Sequence, residues 1–391
     1  MRFGAPRRGG SAVAASGEHA AQVGPAALCG GKGPMSAQPV EETTREESAR
    51  PDAERRLQAV PEARTGRRTR ADAARPAARP AYTAFDTTVS AVQVLSPHFV
   101  RVTLADESLV HFGTGGLDQR IKLFLPRADG SFPDVGLFAE PAPSMMEWYT
   151  RWRELDEGER NPIRTYTVRA IRPEAREIDV DFVCHGTEGP ASAWASEVAV
   201  GDPLIVIGPD GRSEEPGGGI EWNPGTAQDV LLAGDETAVP AICAILEQLP
   251  AGIHGEAHLE VPSSDDALEV AARCGVQVHW HGRDGAEPGE LLAAAVQDWG
   301  RRRTEIFAER AAACRPARDA VGAPETGELP TVDDDAVLWE VAEPEGFREY
   351  AWLAGEAGVI TAMRRHLVKD VGMSRKQVSF MGYWKRGRAS A

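Results

Sequence analysis

The chain has 391 residues, with 43 Lys or Arg against 59 Asp or Glu and a formal net charge of −16. That length suggests two or three structural units with ample material for buried cores. Residues 1–80 carry net +5 and residues 81–391 net −21, an acidic body that argues against nucleic-acid partners and against docking on an anionic membrane.

Residues 1–80 are rich in Ala, Arg, Gly, Pro and Glu and poor in aromatic or branched apolar side chains. Such a segment cannot bury enough surface to offset the entropy of ordering, so a disordered extension is expected. Met35 lies inside it as an alternative translation start. The opening MRFGAPRR is not followed by the sustained apolar run of an export signal, and no stretch approaches the ~20 apolar residues that span a bilayer. Cys29, Cys184, Cys243, Cys274 and Cys314 are scattered without a C-x-x-C pair. Neither a disulfide framework nor a structural zinc site is expected, and the reading is a reduced, cytoplasmic protein.

From residue 81 the texture changes. Residues 86–96, 98–105, 120–126, 164–171, 177–185 and 202–209 are short, β-branched and often alternating, with turn residues in several gaps. Six such runs predict a six-stranded antiparallel barrel over residues 81–215. An insertion at 144–162 interrupts the spacing; its Trp148, Tyr149 and Trp152 fall at helical intervals and are expected to pack on a core. After the Gly-rich stretch 213–225, strand-like runs at 229–236, 255–261, 276–282, 349–357 and 377–384 alternate with helical runs at 237–249, 265–274 and 358–371. That rhythm predicts a parallel-sheet α/β domain over residues 216–391. Residues 301–336 are polar and rich in Pro, Gly and Asp, and read as a mobile connection.

The sharpest local signal is Arg164-Thr165-Tyr166-Thr167-Val168-Arg169. On a strand, Arg164 and Tyr166 share one face and Thr165 and Thr167 the other. An arginine offers a planar fork of donors for a diphosphate, and a tyrosine a rigid face for a flat ring such as a flavin. An exposed strand with a cross-strand charge pair has the same pattern. One strand later, Asp181-Phe182-Val183-Cys184-His185-Gly186 leads to Gly189-Pro190-Ala191-Ser192-Ala193-Trp194. This is a turn feeding a helix start whose free N–H groups suit a phosphate. His279 and His281 share a strand face without a third ligand nearby, so no metal site is expected. No Ser-His-Asp or P-loop pattern is present.

Taken in order, RTYTVR (164–169), DFVCHGTEGPASAWA (181–195), GDPLIVIGP (201–209), LLAGDETAVPAI (231–242), WLAGEAGVITAMRRHL (352–367) and FMGYWKRGR (380–388) resemble the siderophore-interacting protein family, FAD-containing ferric-siderophore reductases of the ferredoxin-reductase-like superfamily. The resemblance covers residues 81–391. It implies an FAD-binding barrel followed by an NAD(P)H-binding α/β domain. It also implies electron flow from NADPH or NADH through flavin to Fe(III) in a siderophore, with Fe(II) released in the cytoplasm. Ferredoxin is a further donor known among relatives.

By position, Arg164 would hold the FAD diphosphate, Tyr166 would pack on the isoalloxazine, and Thr167, with Thr165 beside it, would approach its reactive edge. Asp181, His185, Ala191 and Ser192 would contact the remaining parts of FAD. Asp235, Glu236 and Thr237 occupy the nicotinamide-side loop, where this chain has Asp-Glu in place of the Gly-containing turn of many relatives. Tyr383 and Trp384 would cover the flavin or edge the substrate cavity. Lys122, Lys385, Arg386 and Arg388 would attract an anionic ferric chelate. Arg364 and Arg365 follow Gly355-Glu356-Ala357 on a helix and read equally as dinucleotide ligands or as a solvated face. A general flavin reductase or the reductase component of an oxygenase would use the same fold. A non-enzymatic siderophore carrier would bind the chelate without flavin.

Overall fold

The computed structural model describes residues 79–186, 189–215, 217–313, 339–343 and 346–387. Most of the predicted disordered extension, Cys29, Met35, Cys314, Arg388 and positions 314–336 of the polar connection lie outside them. None of the described helices is long and apolar enough to cross a membrane.

The first lobe is a seven-stranded antiparallel sheet in the order β4-β3-β7-β1-β2-β6-β5. Its strands are β1 (Tyr82–Ser96), β2 (Phe99–Ala105), β3 (Arg120–Phe124), β4 (Ile163–Thr167), β5 (Ala170–Arg172), β6 (Glu177–Val183) and β7 (Pro203–Pro209). Long β1 pairs with β7 through residues 82–88 and with β2 through residues 88–96. The count is seven rather than six because the run predicted over 164–171 changes partner midway. The Val168 N–H donates to Gln119 O at the head of β3, and the next N–H, of Arg169, donates to Asp179 O on β6. Strands β4 and β5 are therefore the two edges of the sheet and two residues apart in the chain, which curls the sheet into a half-barrel. Inside pack Phe85, Val102, Leu104, Ile121, Leu123, Val180, Phe182 and Val206.

The insertion forms α1 (Met145–Glu154), started by a capping box between Ser144 and Glu147. Trp148, Tyr149 and Trp152 pack against Phe124, Ile163 and Ile205 on the other side of the barrel wall, as their spacing suggested. Helix α2 (Pro190–Glu197) follows β6.

The second lobe is a six-stranded sheet in the order β10-β9-β8-β12-β13-β11. Strands β8 (Asp229–Gly234), β9 (His254–Val261), β10 (Gly275–Gly282), β12 (Glu349–Glu356) and β13 (Val378–Trp384) run parallel. The short edge strand β11 (Trp339–Glu340) is antiparallel to β13, so the sheet is mixed rather than wholly parallel. Alternation along β8 divides two apolar layers. Val230 and Leu232 face α3 (Val239–Gln248), while Leu231 and Ala233 face α4 (Glu290–Ala313) and α5 (Ala357–His366). A sheet covered on both faces by helices explains the near-continuous apolar reading of its central strands.

Two expectations fail here. The helix predicted over 265–274 is absent; a 3-10 turn at Ser264–Asp266 leads into extended chain. Leu268, Val270, Ala272 and Cys274 all pack on the α3 side of the core, so the apolar period is two and not 3.6. Conversely, residues 301–313, assigned to a mobile connection, belong to α4. Its Leu292, Val296, Trp299 and Phe307 form a helical stripe buried against β8 and β12.

Asp118 fastens the two lobes. Its carboxylate, from the segment before β3, accepts the N–H groups of Glu221 (3.0 Å) and Trp222 (3.1 Å) and the indole N–H of Trp352 on β12 (3.2 Å). His98 and Ser96 of the barrel both bond to Asp266, at 2.7 Å each. Arg169 is paired with Glu247 on α3 at 2.6 Å.

Candidate functional site

The β3–β4 register sets the barrel side of the site. Lys122 lies opposite Thr165 and Arg120 opposite Thr167, while Leu123 faces Arg164 and Ile121 faces Tyr166. Arg164 and Tyr166 therefore share one face of β4, and Lys122, Thr165 and Thr167 the other, as alternation predicts. The Tyr166 ring lies 4.5 Å from Phe182, which lies 5.4 Å from Trp194, so a row of three rings joins β4 to α2.

The charges on this hairpin differ from the rest of the barrel. Asp181 takes both arms of Arg101 at 2.7 and 2.8 Å, and Arg172 holds Asp179 at 2.6 Å. Arg212 similarly holds Asp210. Arg164 makes no ion pair among the described residues; its Nη1 donates only to the neighbouring Ile163 carbonyl. Lys122 likewise has no acidic partner there, and its Nζ sits 3.3 Å from Thr165 Oγ1. Burial holds both side chains below their ordinary pKa, with the Arg120 charge adding to the effect at Lys122. Two half-buried cations without counter-ions, in a body of net charge −21, suit an anionic ligand.

The α2 side is tied down locally. Ser192 Oγ accepts the His185 N–H at 3.0 Å and donates to Gly186 O at 2.7 Å, which pins the approach to the helix. Ala191 is buried in the barrel core, and Gly189 supplies no side-chain cap to the helix start. Asp181 is buried in its ion pair with Arg101, beside Arg169 at 3.7 Å. Its side chain therefore braces the strands behind the site.

On the second lobe, Asp235, Thr237 and Trp384 meet in one knot at the ends of three strands. Asp235 accepts the Thr237 N–H and hydroxyl, the Glu356 N–H at 2.7 Å and the Trp384 indole N–H at 2.8 Å. Gly355 has φ +145°, and a side-chain carbon there would fall 2.5 Å from the Asp235 carboxylate, so only glycine fits. Glu236 is buried and takes both arms of Arg283, at 2.6 and 2.8 Å. His185 crosses from the barrel to within 3.6 Å of Glu236, bringing the two halves of the predicted set together. Burial lowers the His185 pKa; the Glu236 charge opposes that shift.

Lys385 and Arg386 are exposed. Arg386 reaches Glu287 at 3.3 Å and the Pro288 carbonyl at 3.2 Å, so its side chain leans on the turn before α4. Arg364 is buried, paired with Glu340 and stacked on Phe380, which removes it from both roles considered for it; Arg365 is exposed. A cavity of about 340 Å³ lies beside Gly113, Gln119, Asp210 and Ile220, and one of about 260 Å³ beside Arg169 and Glu247. Neither is lined by Arg164, Tyr166 or the Asp235–Thr237 turn. Arg120 and Arg283 were missed in the sequence. Alternation along β3 places Arg120 on the Lys122 face, whereas nothing local links Arg283 to Glu236.

Residues 88–213 match the family model described as the siderophore-interacting FAD-binding domain, and residues 227–387 that described as the siderophore-interacting protein. An uncharacterized protein of Mycobacterium tuberculosis is 33% identical over 77% of this chain and 89% of its own. The chain belongs to the siderophore-interacting protein family. Ferric vibriobactin reductase ViuB of Vibrio cholerae is 28% identical over 75% of this chain and 86% of its own. Among solved structures, the siderophore-interacting protein SipS from Aeromonas hydrophila superposes with a TM-score of 0.52 at 27% identity, covering 79% of this chain and 94% of that one. A siderophore utilization protein from T. fusca gives 0.52 at 25% identity, covering 79% and 95%.

The barrel of this family member is thus an FAD-binding domain, and its residues fit the cofactor. The unpaired Arg164 fork and the α2 start without a side-chain cap suit a diphosphate, and the Tyr166 ring suits a flat heterocycle. A pH effect follows from the other lobe. Burial, with the Glu236 charge beside it, pushes Asp235 up to about 6. A raised folded-state pKa contributes stability that is present below the ordinary value near 3.9 and lost as pH rises through 6. Relative to an Asp235→Asn variant, the urea unfolding free energy of the wild type is expected to fall by about 2 kcal/mol between pH 4 and pH 7. Parallel pH profiles for the two proteins would contradict this.

Proposed function

We propose that this protein is an FAD-dependent reductase of ferric siderophores that works in the cytoplasm with NADPH or NADH as electron donor. The observation that carries the reading is the pair of half-buried cations on the β3–β4 hairpin, Lys122 and Arg164, which have no carboxylate partner among the described residues. The family membership and the likeness to ViuB support it. Bound FAD accepts electrons in pairs and releases them singly, the conversion needed between a hydride donor and Fe(III). Arg164 anchors the diphosphate of the cofactor, and Tyr166, braced by Phe182, supports its ring system. On the opposite face of β4, Lys122 attracts the anionic chelate, and Lys385 and Arg386, just after β13 of the second lobe, add positive charge. Fe(II) is a poorer match for hard oxygen chelators than Fe(III), so reduction releases it. No residue need move a proton at the iron, which accords with the absence of a recognised catalytic dyad in the sequence.

The test is a visible spectrum of the purified protein, bleached by NADPH and restored by a ferric siderophore. A colourless protein that refuses added FAD would overturn the reading, and flavin reduction by ferredoxin alone would overturn its donor. Lys122→Ala is expected to raise the KM for a ferric catecholate about tenfold with little change in kcat, a loss of about 1.4 kcal/mol of uniform binding.

A further inference from the structure

The carboxyl ends of β8, β9 and β12 form the crevice where an open α/β sheet ordinarily seats a dinucleotide, with helix N-termini receiving its phosphates. In this chain two of the helices that start there, α4 and α5, are already served by a carboxylate of the protein, whereas α3 has no side-chain cap and only the turn ahead of it is held by Asp235. Asp235 binds the Thr237 N–H ahead of α3 at 3.0 Å. Glu260, fully buried on β9, accepts the Gly289 N–H at 2.6 Å and the Leu292 N–H at 2.9 Å at the head of α4. Glu356 accepts the Val359 N–H at 2.9 Å in the first turn of α5.

Two cations are engaged within the protein, while Lys385 and Arg386 stay exposed at the rim, Arg386 with its N–H 3.2 Å from Glu356. Arg283 gives both arms to Glu236 and also lies 3.3 Å from Glu260. Arg364 is buried against Glu340. A diphosphate entering this crevice would find the first donors of α4 and α5 taken and four buried carboxylates in its walls.

We propose that Asp235, Glu236, Glu260 and Glu356 are specificity-determining residues that deny the phosphates of a nicotinamide dinucleotide a seat, so that the donor is recognised through its dihydronicotinamide ring alone. This rests on the reductase reading above. The ring gives a hydride to the bound FAD and leaves as the oxidised pyridinium, while one solvent proton completes the two-electron reduction of the cofactor. Neither the adenosine half nor a 2′-phosphate then contributes to affinity, and NADH and NADPH are used alike.

The test uses the FAD-loaded protein. Calorimetric titration with ADP-ribose, which carries the diphosphate without the redox ring, is expected to show no binding up to millimolar concentration. NADH, NADPH and 1-benzyl-1,4-dihydronicotinamide are expected to reduce the flavin with kcat/KM values within about tenfold, a spread of about 1.4 kcal/mol. Micromolar binding of ADP-ribose, or a preference above ~100-fold for a whole dinucleotide, would overturn the proposal. Glu236→Gln removes one of the two carboxylates that hold Arg283 and is expected to lower the KM for NADPH about tenfold while that for the benzyl donor stays put. Equal effects on both donors would remove Glu236 from the role. Should this variant fail to fold, the wild-type comparisons still decide. Reoxidation of dithionite-reduced protein by a ferric siderophore tests the reductase reading separately, since it needs no nucleotide.

Discussion

Arg164→Ala is expected to be purified largely without its flavin, with FAD affinity lowered about a hundredfold. Charge-assisted hydrogen bonds contribute about 1.5–3 kcal/mol each, and a guanidinium can place two on a diphosphate. The loss should fall on binding and not on folding, because Arg164 contacts only the Ile163 carbonyl and no carboxylate among the described residues. Urea unfolding of the apoprotein is therefore expected to stay within about 0.5 kcal/mol of wild type, as for substitutions away from a structural network. Arg164→Lys retains charge without the fork and should fall between the two. Absorbance of the bound flavin after gel filtration, and fluorescence titration with FAD, are the measurements. Undiminished retention in Arg164→Ala would take this residue out of the site.

The largest effect on stability is expected at Asp118, where alanine should cost about 3–5 kcal/mol in urea unfolding. The substitution leaves three buried donors, the N–H groups of Glu221 and Trp222 and the Trp352 indole, without their acceptor, at about 1–3 kcal/mol for each unsatisfied group. Burial raises the Asp118 pKa while those three donors oppose the shift. Asp118→Asn keeps one acceptor oxygen and should lose roughly half as much. Equal stability of wild type and the alanine variant would mean that water replaces the carboxylate at this junction.

Much of the architecture was legible because it follows local rules. Strand alternation and turn residues marked the barrel, and the change to longer apolar runs marked a sheet covered on both faces. The failures have physical causes. The 265–274 segment carries helix-forming residues, yet its alternating Leu268, Val270, Ala272 and Cys274 settle against the core in extended form. Tertiary burial there outweighs intrinsic propensity. Helix α4 was overlooked from residue 290 onward although Leu292, Val296, Trp299 and Phe307 keep a helical stripe, because charged residues dilute the apolar signal. The seventh strand arises where one run changes partner between Val168 and Arg169, which no residue type announces.

For the site, sequence alone determined the donor and ring chemistry of the Arg164-Thr165-Tyr166-Thr167 strand, its two faces and the order of the two lobes. Those depend on residue identity and on a backbone period of two. Only the tertiary structure decided which charges remain available. Asp181, Glu236 and Arg364 read as open ligands in one dimension, and each is taken by a partner 80, 47 or 24 positions away, while Lys122 and Arg164 have no counter-ion among the described residues. Whether a charged group is spent or spare depends on what folding carries to within ~4 Å of it, and that neighbour is distant along the chain.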